Sequence, residues 1–468
     1  MTQEHPFPVE ANDTPATQLL HDALPQRWRG LFTAPIVNRF LTWTDAEARV
    51  QAAAQKAGAQ IITVGESRQH RPLHLYRFGE ATRRTFWYAG PHANEPVGVS
   101  TVVSLAEALA SHPEYFDAAG FDLMVCVDPD SHVANEHWFP GYAGGLRSYY
   151  ENLYRPARSE FCDWDMPFEL DAGDRTFRRE SQLPEGDALR KALDISRPQI
   201  VMSLHNAEVG GMYIHQIGGT KTLAGALSTI PGAFSIPTEP APIDAPGEQP
   251  IAPGVFPLPS IPDMYGPLFD LTSDDPLNIL VMGESAMTWS LRYGAVSLVT
   301  EVPLWSPIDA LPEPGQTLAD VTTGSADRLR GIAYWLTAFC EQNAALLPSS
   351  DARARSVRDS IGILAGLSAM LTALAGSPDG PNPATEEDVR RWCLMLSLSV
   401  PLRSLGMLLG ALRVNSAPDG VISEAQERFD TFEALLEGYH YRFHGVDVVS
   451  GIQIAAGVAA IENLEAEQ

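Results

Sequence analysis

Short apolar segments recur between residues 60 and 300 of this chain and alternate with segments of helical periodicity. The apolar segments are residues 61–65, 73–79, 84–90, 121–127, 199–204 and 295–300. Helical periodicity covers residues 97–110 and 187–193. Strands that alternate with helices are typical of a parallel or mixed sheet with helices on both faces. We therefore predict an α/β fold with a mixed, mostly parallel central sheet flanked by helices.

The sequence divides into three parts by pattern. Residues 1–59 form a mixed N-terminal segment, and residues 60–344 hold the alternating strands and helices. Residues 345–468 carry long helical patterns, which predict a C-terminal helical extension in which Pro401 breaks one helix. Within the middle part, residues 231–262 contain ten prolines and little periodicity. This composition predicts a long surface loop and excludes a central strand or a helix.

The charge and the termini restrict the classes of partner. Acidic residues outnumber basic residues by 58 to 32, which gives a formal net charge of −26. Nucleic acids and anionic membranes are polyanions, so this charge argues against either as the main partner. The first residues lack the basic and apolar regions of a signal peptide, and the cysteines form no CxxC pair. The apolar run 361–376, about 16 residues long, favours a buried helix over a membrane span. We expect a reduced, cytoplasmic protein.

Two histidines follow predicted strands. His92 and Glu95 lie three residues apart in the turn after segment 84–90, and His205 comes directly after segment 199–204. The carboxyl ends of parallel strands meet at one edge of an open sheet, which is where ligands bind. Imidazole and carboxylate are good zinc ligands, and three protein ligands leave a fourth position for water in a hydrolytic site. Each side chain alone is more typical of a structural residue, but together they predict a metal centre.

A carboxylate follows a further predicted strand. Glu301 comes directly after segment 295–300, and we expect it at the same sheet edge as the two histidines. A carboxylate in that place can act as general base toward a water molecule activated by a metal ion. His132 and Glu136 also follow a predicted strand, but their spacing is HxxxE and we regard them as a weaker alternative.

The order of these motifs resembles that of the M14 class of zinc carboxypeptidases. In that family the ligands are an HxxE motif and a later histidine, and a glutamate after a further strand is the general base. In this chain 113 residues separate His92 from His205, and 96 residues separate His205 from Glu301. The resemblance extends from about residue 60 to residue 310 and depends on the order of the motifs more than on any one of them.

Three further segments are similar to motifs of that family. Residues 65–67 (GES) and 71–73 (RPL) resemble its GxSxxGRPL strand pair, and residues 128–131 (DPDS) resemble its Asn-Pro-Asp-Gly turn. The family's Asn-Arg pair falls at Tyr154 and Arg155, where a tyrosine stands in place of the asparagine. The recognition of a substrate carboxylate is therefore less closely matched than the metal site.

The resemblance implies one Zn²⁺ ion held by His92, Glu95 and His205, with Glu301 as general base. It also implies that Arg155 binds the substrate carboxylate or stabilises the oxyanion. Arginine suits either role because its guanidinium stays charged and its fork pairs with two oxygens.

Other substrate-binding residues are less closely matched. The family's arginine that polarises the scissile carbonyl has no obvious counterpart, and Arg147 and Arg158 are the nearby candidates. Met287 is a candidate for lining the substrate pocket. The tyrosine that the family carries about twenty residues before the general base is also unmatched.

These features predict a zinc-dependent metallocarboxypeptidase that hydrolyses a C-terminal peptide bond with zinc-activated water. Two alternatives stay open. An amide deacylase of the aspartoacylase or succinylglutamate desuccinylase kind would use the same ligands on an N-acyl amino acid. A zinc-binding scaffold without catalysis would use the helical extension to bind a partner. The extension could equally be a surface for homo-oligomerisation.

Overall fold

The structure is a computed structural model that describes residues 15–172, 175–242, 248–264, 282–309, 311–436 and 439–466. The expectations for residues 1–14, and for residues 243–247 of the proline-rich segment, lie outside the described residues.

The strands of the described residues are β1 (Gln60–Glu66), β2 (Pro72–Phe78), β3 (Arg84–Ala89), β4 (Gly120–Met124), β5 (Phe168–Ala172), β6 (Arg175–Arg179), β7 (Ile200–Leu204), β8 (Tyr213–Ile217), β9 (Val255–Phe256), β10 (Val296–Glu301), β11 (Trp305–Pro307) and β12 (Tyr441–Phe443). Eight of these form one sheet in the order β1-β2-β4-β3-β7-β10-β8-β9. The pairs β4-β3, β3-β7, β7-β10 and β8-β9 are parallel, and the other three pairs are antiparallel. The predicted mixed, mostly parallel sheet is confirmed.

The α-helices of the described residues are α1 (Ala16–Ala23), α2 (Trp43–Ala57), α3 (Val97–Ser111), α4 (Pro129–Val133), α5 (Leu146–Asn152), α6 (Pro184–Ser196), α7 (Lys221–Leu227), α8 (Ile230–Ala233), α9 (Ala286–Trp289), α10 (Leu318–Gln342), α11 (Ala352–Ala375), α12 (Glu386–Val414), α13 (Asp419–Ala434) and α14 (Val446–Ala466). Short 3₁₀ turns cover Gln26–Leu31, Pro113–Asp117, Glu136–Trp138, Arg158–Glu160, Cys162–Trp164 and Ser290–Tyr293. The predicted flanking helices are therefore present.

Strand β3 illustrates why the sheet is buried on both faces. Side chains alternate between the two faces of a strand. Trp87 and Ala89 enter the larger hydrophobic core, whereas Phe86 and Tyr88 enter the smaller core on the opposite face. An apolar residue at each of these four positions therefore fits a strand that is covered on both sides.

Helix α14 packs against α3 and β7 on the side of the larger core. Gly457 permits this contact, because a Cβ atom at that position would lie 2.0 Å from the Trp87 ring. The helices predicted from sequence for the C-terminal extension do not include α14. Apolar side chains between residues 446 and 461 lie all around the helix and not along one stripe. The sequence therefore shows no helical periodicity in this segment.

The helices after residue 345 share one hydrophobic core with the sheet. The division of the chain at that point stays a prediction about organisation, but the core runs across it. The expectation that Pro401 breaks a helix is wrong, since α12 runs without a break from Glu386 to Val414. Residues Val389–Ser399 are π-helical, and Pro401 stands in the first turn of the α-helical part that follows. The first turn of an α-helix tolerates proline because its N–H group has no intrahelical α-type partner there.

By length and composition alone, three described helices are apolar enough to cross a membrane, namely α11, α12 and α14. In α12 and α14, 83% and 78% of the apolar window is buried within the protein, but in α11 only 28% is buried. The expectation that the apolar run 361–376 forms a buried helix is therefore wrong for most of α11. Its exposed positions are chiefly alanine and glycine, which place little apolar area in the solvent.

Candidate metal centre and its cleft

The candidate metal ligands follow neighbouring parallel strands. Ala89 of β3 pairs with Leu204 of β7, so His92 and His205 leave the sheet at the same edge. Gly90 turns the chain after β3 with a φ of 67°, and a Cβ atom there would lie 2.4 Å from the sulfur of Cys126. A glycine is therefore required at this turn.

Strand β10 adds the third side chain to this edge. Val299 of β10 pairs with Ser203 of β7, so Glu301 ends its strand beside His205. The register of three adjacent strands therefore converts three motifs that are distant in sequence into one cluster, as the sequence predicts.

The side chains of His92, Glu95 and His205 converge on one point. The Nδ1 atoms of His92 and His205 each lie 2.9 Å from a carboxylate oxygen of Glu95, Oε1 for His92 and Oε2 for His205. One ligand atom from each residue lies within 4.8 Å of the other two, and all three residues are buried. The Oε1 atom of Glu301 lies 3.6 Å from Nδ1 of His205. A His₂Glu donor set with a further carboxylate beside it is a composition that zinc sites use.

The electrostatics of the cluster favour a cation. Burial alone would raise the pKa of Glu95, but the charges of His92 and Arg155 hold it well below the usual range of a glutamate. Burial likewise opposes a charge on His205, yet Asp163 and Glu95 raise its pKa well above the ordinary value. The site therefore holds Glu95 ionised and stabilises positive charge beside it, and a divalent metal ion supplies such charge.

The charges around the cluster lead to the same conclusion. Four carboxylates (Glu95, Asp163, Glu208 and Glu301) and two arginines (Arg155 and Arg403) belong to this group of contacts among the described residues. When both histidines are neutral, as metal ligation requires, these groups carry an excess of two negative charges, which equals the charge of one divalent ion. The residues present therefore fit a bound metal.

The second nitrogen of His205 is held from behind. Its Nε2 atom lies 2.9 Å from the Ser203 hydroxyl and 3.6 Å from a carboxylate oxygen of Asp163. The backbone carbonyl of His205 accepts a hydrogen bond from Gln453 of α14 at 2.7 Å, and Gln453 accepts one from Thr101 at 2.5 Å. These partners fix the ring and the backbone of a ligand residue, which metal sites depend on.

Arg155 lies directly at the cluster. Its guanidinium donates to Glu95 Oε1 at 2.5 Å and to Asn94 Oδ1 at 3.0 Å, and it lies 3.2 Å from Nδ1 of His92. The ring of Phe161 stacks under it, with the guanidinium carbon 5.0 Å from the ring centre. The structure thus brings Arg155 to the predicted place, next to the candidate ligands.

The family-like segments have structural partners. The Ser67 hydroxyl donates to Asp130 at 2.7 Å, and Arg71 donates to the same carboxylate. The backbone N–H of Gln69 donates to the other oxygen of Asp130 at 2.8 Å. The strand pair and the turn therefore hold each other next to β4, but none of these residues contacts the candidate ligands.

A cleft of about 450 Å³ opens at the cluster, which is within the ~300–1,000 Å³ range of small-ligand sites. The following residues line it: His92, Asn94, Glu95, Arg155, Arg158, Phe161, Trp164, Asn206, Ala207, Glu208, Val209, Tyr213, Leu258, Pro259, Met264, Met282, Glu301, Ile363, Leu367, Met395, Leu396, Ser399, Val400 and Arg403. Leu258 and Pro259 belong to the proline-rich segment, so part of that segment forms one wall.

The other predicted substrate-binding residues have different surroundings. Arg158 lines the cleft, but its guanidinium forms a forked ion pair with Asp359 of α11. The structure does not bring Arg147 to the cleft, because it pairs with Glu433 and Asp430 of α13. It does not bring Met287 there either, because Met287 is buried in the smaller core, where its sulfur accepts a hydrogen bond from Tyr88.

The weaker alternative pair does not form a metal site among the described residues. His132 contacts the backbone carbonyl of Leu41 through Nε2 at 2.9 Å, and Glu136 accepts a hydrogen bond from the Trp43 backbone at 2.6 Å. The two side chains are thus occupied by different parts of the N-terminal segment.

Sequence reasoning missed several residues at this site. Tyr213 of β8 lies opposite Glu301 in the sheet and lines the cleft, but β8 was not predicted. Asp163 and Gln453 stand outside any recognisable motif. Helices α11 and α12, which we call the cleft helices, supply Ile363, Leu367, Met395, Leu396, Ser399, Val400 and Arg403. The sequence predicts that these segments are helical, but it does not predict that their apolar sides face the cleft.

No family profile matches this chain, and no curated protein matches it in sequence. Solved structures do match it in three dimensions. A metallo-carboxypeptidase from Burkholderia cenocepacia is 17% identical, with a TM-score of 0.34, over 56% of this chain and 60% of that one. A carboxypeptidase A from Helicoverpa armigera is 14% identical, with a TM-score of 0.34, over 57% and 65%. Bovine thrombin-activatable fibrinolysis inhibitor is 10% identical, with a TM-score of 0.34, over 56% and 86%.

Proposed function

We propose that this protein is a zinc-dependent metallocarboxypeptidase that hydrolyses the C-terminal peptide bond of a small substrate. The observation that carries the proposal is the convergence of His92, Glu95 and His205, with Glu301 beside them, at the mouth of a cleft. Three ligand side chains and a neighbouring carboxylate are the minimum set for hydrolysis by an activated water molecule.

His92, Glu95 and His205 would hold the zinc ion. Zinc at such a site lowers the pKa of water from about 15.7 to about 7 and polarises a carbonyl oxygen. Glu301 takes the proton of the attacking water and passes it to the leaving amine. Ser203, Asp163 and Gln453 keep the His205 ring and backbone in place.

Arg155 has a second role in this proposal. In the described structure its guanidinium contacts Glu95 and His92, the two residues that a metal ion would engage. A cation at that point competes for these donor atoms, which leaves the guanidinium for another anionic group. We assign it to the oxygen that gains negative charge as the carbonyl is attacked, since such groups stabilise transition states strongly.

A second candidate function is the hydrolysis of N-acyl amino acids. The observation that favours it is the cleft wall formed by α11 and α12, which leaves a cleft of about 450 Å³ next to the cluster. A wall at that position suits a short substrate better than a long peptide. Both candidate reactions break an amide bond and use the same residues, so only substrate length and the group on the amine separate them.

The test is mass spectrometry of a defined mixture incubated with the purified protein, with and without a zinc chelator. The mixture contains peptides with free and with amidated C-termini, and N-acyl amino acids. Loss of single residues from free C-termini only, abolished by the chelator, supports the carboxypeptidase. Cleavage of N-acyl amino acids alone supports the second candidate. Cleavage that the chelator does not affect would overturn both.

A further inference from the structure

On the side of α12 that faces the cleft, apolar side chains are followed by one arginine, Arg403. Helix α12 lines the cleft with Met395, Leu396, Ser399, Val400 and Arg403. Their spacings of four and eight residues place them on one side of the helix. The π-helical stretch Val389–Ser399 supplies three of the five, and π-helical segments are frequent at functional sites.

The three arginines of the cleft differ in how firmly they are paired. Arg155 contacts Glu95, Asn94 and His92, and Arg158 forms a forked pair with Asp359 at 2.8 to 3.2 Å. Arg403 pairs with Glu208 at 3.5 Å, which exceeds the usual 2.7–3.2 Å of a hydrogen bond. A guanidinium has five N–H donors in a fork that matches a carboxylate. Since Arg155 is assigned to the oxygen of the attacked carbonyl and Arg158 is held by its forked pair, Arg403 is the cleft arginine whose geometry best allows the substrate carboxylate as a second partner.

Arg403 is connected to the metal centre by neighbouring side chains. Glu208, its partner, accepts a hydrogen bond from Asn94 at 3.0 Å, and Asn94 in turn accepts one from Arg155. The Arg403 side chain is 20% exposed, so it is accessible from the cleft. These contacts join the Arg403 guanidinium to Arg155 and so to the candidate metal centre, along the wall of the same cleft.

Apolar side chains surround this arginine. Val400 lies one turn before Arg403, Met395 and Leu396 lie two turns before it, and Leu367 of α11 lines the same cleft. In the last residue of a peptide, or in an N-acyl amino acid, the carboxylate and the side chain are attached to the same Cα atom. A carboxylate anchor and an apolar pocket must therefore be adjacent, as they are here.

We propose that Arg403 binds the free carboxylate of the substrate and that the apolar face beside it selects an apolar terminal residue. The substrate class is then short peptides or N-acyl amino acids that end in a residue such as leucine. This inference rests on the proposed function and deepens it, because it moves the carboxylate site from Arg155 to a helix outside the sheet.

The experiment measures binding and not turnover. N-acetyl-leucine and N-acetyl-leucinamide are titrated into the zinc-loaded full chain by calorimetry, and the ratio of their affinities gives the preference for a carboxylate. Each protein in this comparison, including the wild-type reference, also carries Glu301→Gln, so that the probes are bound but not hydrolysed. Variants Arg403→Gln and Arg403→Lys are compared with Arg413→Gln. Arg413 is the matched control, since it lies on the same helix but pairs with Glu151 and Gln426.

We expect the wild type and Arg413→Gln to bind the carboxylate form more tightly than the amide. Arg403→Gln should reduce that preference by about tenfold or more, and Arg403→Lys should keep part of it. Thermal unfolding of each variant checks that the fold is intact, and the lysine variant preserves the test if the glutamine variant does not fold.

Three results would overturn the inference. They are an unchanged preference in both Arg403 variants, an equal loss in Arg413→Gln, and a wild type without preference for the carboxylate. A preference that disappears in Arg155→Gln alone would return the role to Arg155. A preference that depends on Arg403, together with no hydrolysis by the unaltered protein in the peptide and N-acyl amino acid mixture, would overturn the proposed function but leave the carboxylate site in place.

A second comparison tests the apolar part. The affinity ratio of N-acetyl-leucine to N-acetylglycine is measured in wild type and in Leu367→Ala. We expect this ratio to fall by about tenfold, because several buried methyl and methylene contacts are lost while the carboxylate contact stays. An unchanged ratio would overturn the assignment of the apolar face.

Discussion

The metal centre and the cleft helices meet in one cleft but are built in different ways. The ligands His92 and His205 leave adjacent parallel strands in register, and the backbone hydrogen bonds of the sheet fix where they lie. The cleft helices are attached through side chains instead, by the Arg158–Asp359 ion pair, the Arg403–Glu208 ion pair and apolar packing. On our proposals, the chemistry would reside in the part that backbone hydrogen bonds hold in register, and the choice of substrate in the part that is attached through side chains.

The largest effect should come from removing a ligand at the sheet edge. His205→Ala should lose bound zinc and reduce turnover below detection, because two ligands hold the ion far less firmly than three. Elemental analysis of the purified variant and an amide-hydrolysis assay check this. Full zinc occupancy in the variant would show that the ligand set is wrong. His215→Ala, in which a histidine of β8 is replaced, is a control for the loss of a buried imidazole.

The next largest effect should separate the chemical step from zinc binding at the same edge of the sheet. Glu301→Gln should lower kcat by about 10²- to 10⁴-fold, because a general base is lost while the shape of the site stays. Zinc content should remain at one ion per chain. A variant that keeps most of its activity would remove Glu301 from the proposed mechanism. Glu284→Gln is the control, because Glu284 is a half-buried glutamate that accepts hydrogen bonds from Thr288 and Ser285, and its replacement should have no such effect.

A smaller effect should show how the C-terminal part supports the sheet edge. Gln453→Leu removes the donor to the His205 carbonyl and the acceptor for Thr101. The Thr101 hydroxyl can still donate to Ser450 or to the Val97 carbonyl, so the main cost is the lost partner of the His205 carbonyl, about 1–3 kcal/mol. Loss of groups that support ligands weakens metal binding by about 10- to 100-fold. Competition with a zinc chelator measures the change. Equal zinc affinity in the variant and the wild type would show that α14 only fills the core.

The smallest effect concerns whether the sheet region around His132 and the C-terminal region around His444 unfold together. Burial lowers the pKa of His132 in the sheet region and of His444 before α14, each to about 4. Between pH 6.5 and 4 the unfolded chain binds protons at these rings and the folded protein does not, so stability falls as the pH falls through this range. At pH 5 each ring should cost about 2 kcal/mol of the free energy of unfolding.

Denaturant unfolding of wild type, His132→Gln and His444→Gln at pH 7.5 and pH 5 checks this. Each substitution should reduce the difference between the two pH values, and both should act on the same single transition. Two transitions, each sensitive to only one of the histidines, would show that the region around His132 and the C-terminal region around His444 are separate cooperative units.

Much of the sheet edge could be predicted from sequence because each of its residues adjoins a strand signal. His92, His205 and Glu301 directly follow apolar segments, and the rule that parallel strands end together brings them into one site. The spacing of the HxxE motif places Glu95 in the turn, where the structure has it.

The cleft helices could not be predicted in the same way. The pattern of residues 385–413 predicts a helix, but no local signal states which element its apolar side contacts or that Arg403 meets Glu208. Helix α14 escaped prediction because its small and apolar residues leave no polar stripe. The prediction that Pro401 breaks a helix failed because the sequence does not reveal the π-helical stretch before it. That stretch shifts the pattern of backbone hydrogen bonds that proline would otherwise interrupt.

The contact between Gln453 and the carbonyl of His205 has a consequence for the order of synthesis. The strands of the eight-stranded sheet and the three candidate ligands are translated well before residue 453, yet the backbone carbonyl of His205 is held by a glutamine that follows it by 248 residues. A nascent chain that has not reached α14 therefore carries the reactive groups without the support that aligns them. On the proposed function, the support of this ligand residue would be complete only after α14 has been translated and has packed against the sheet.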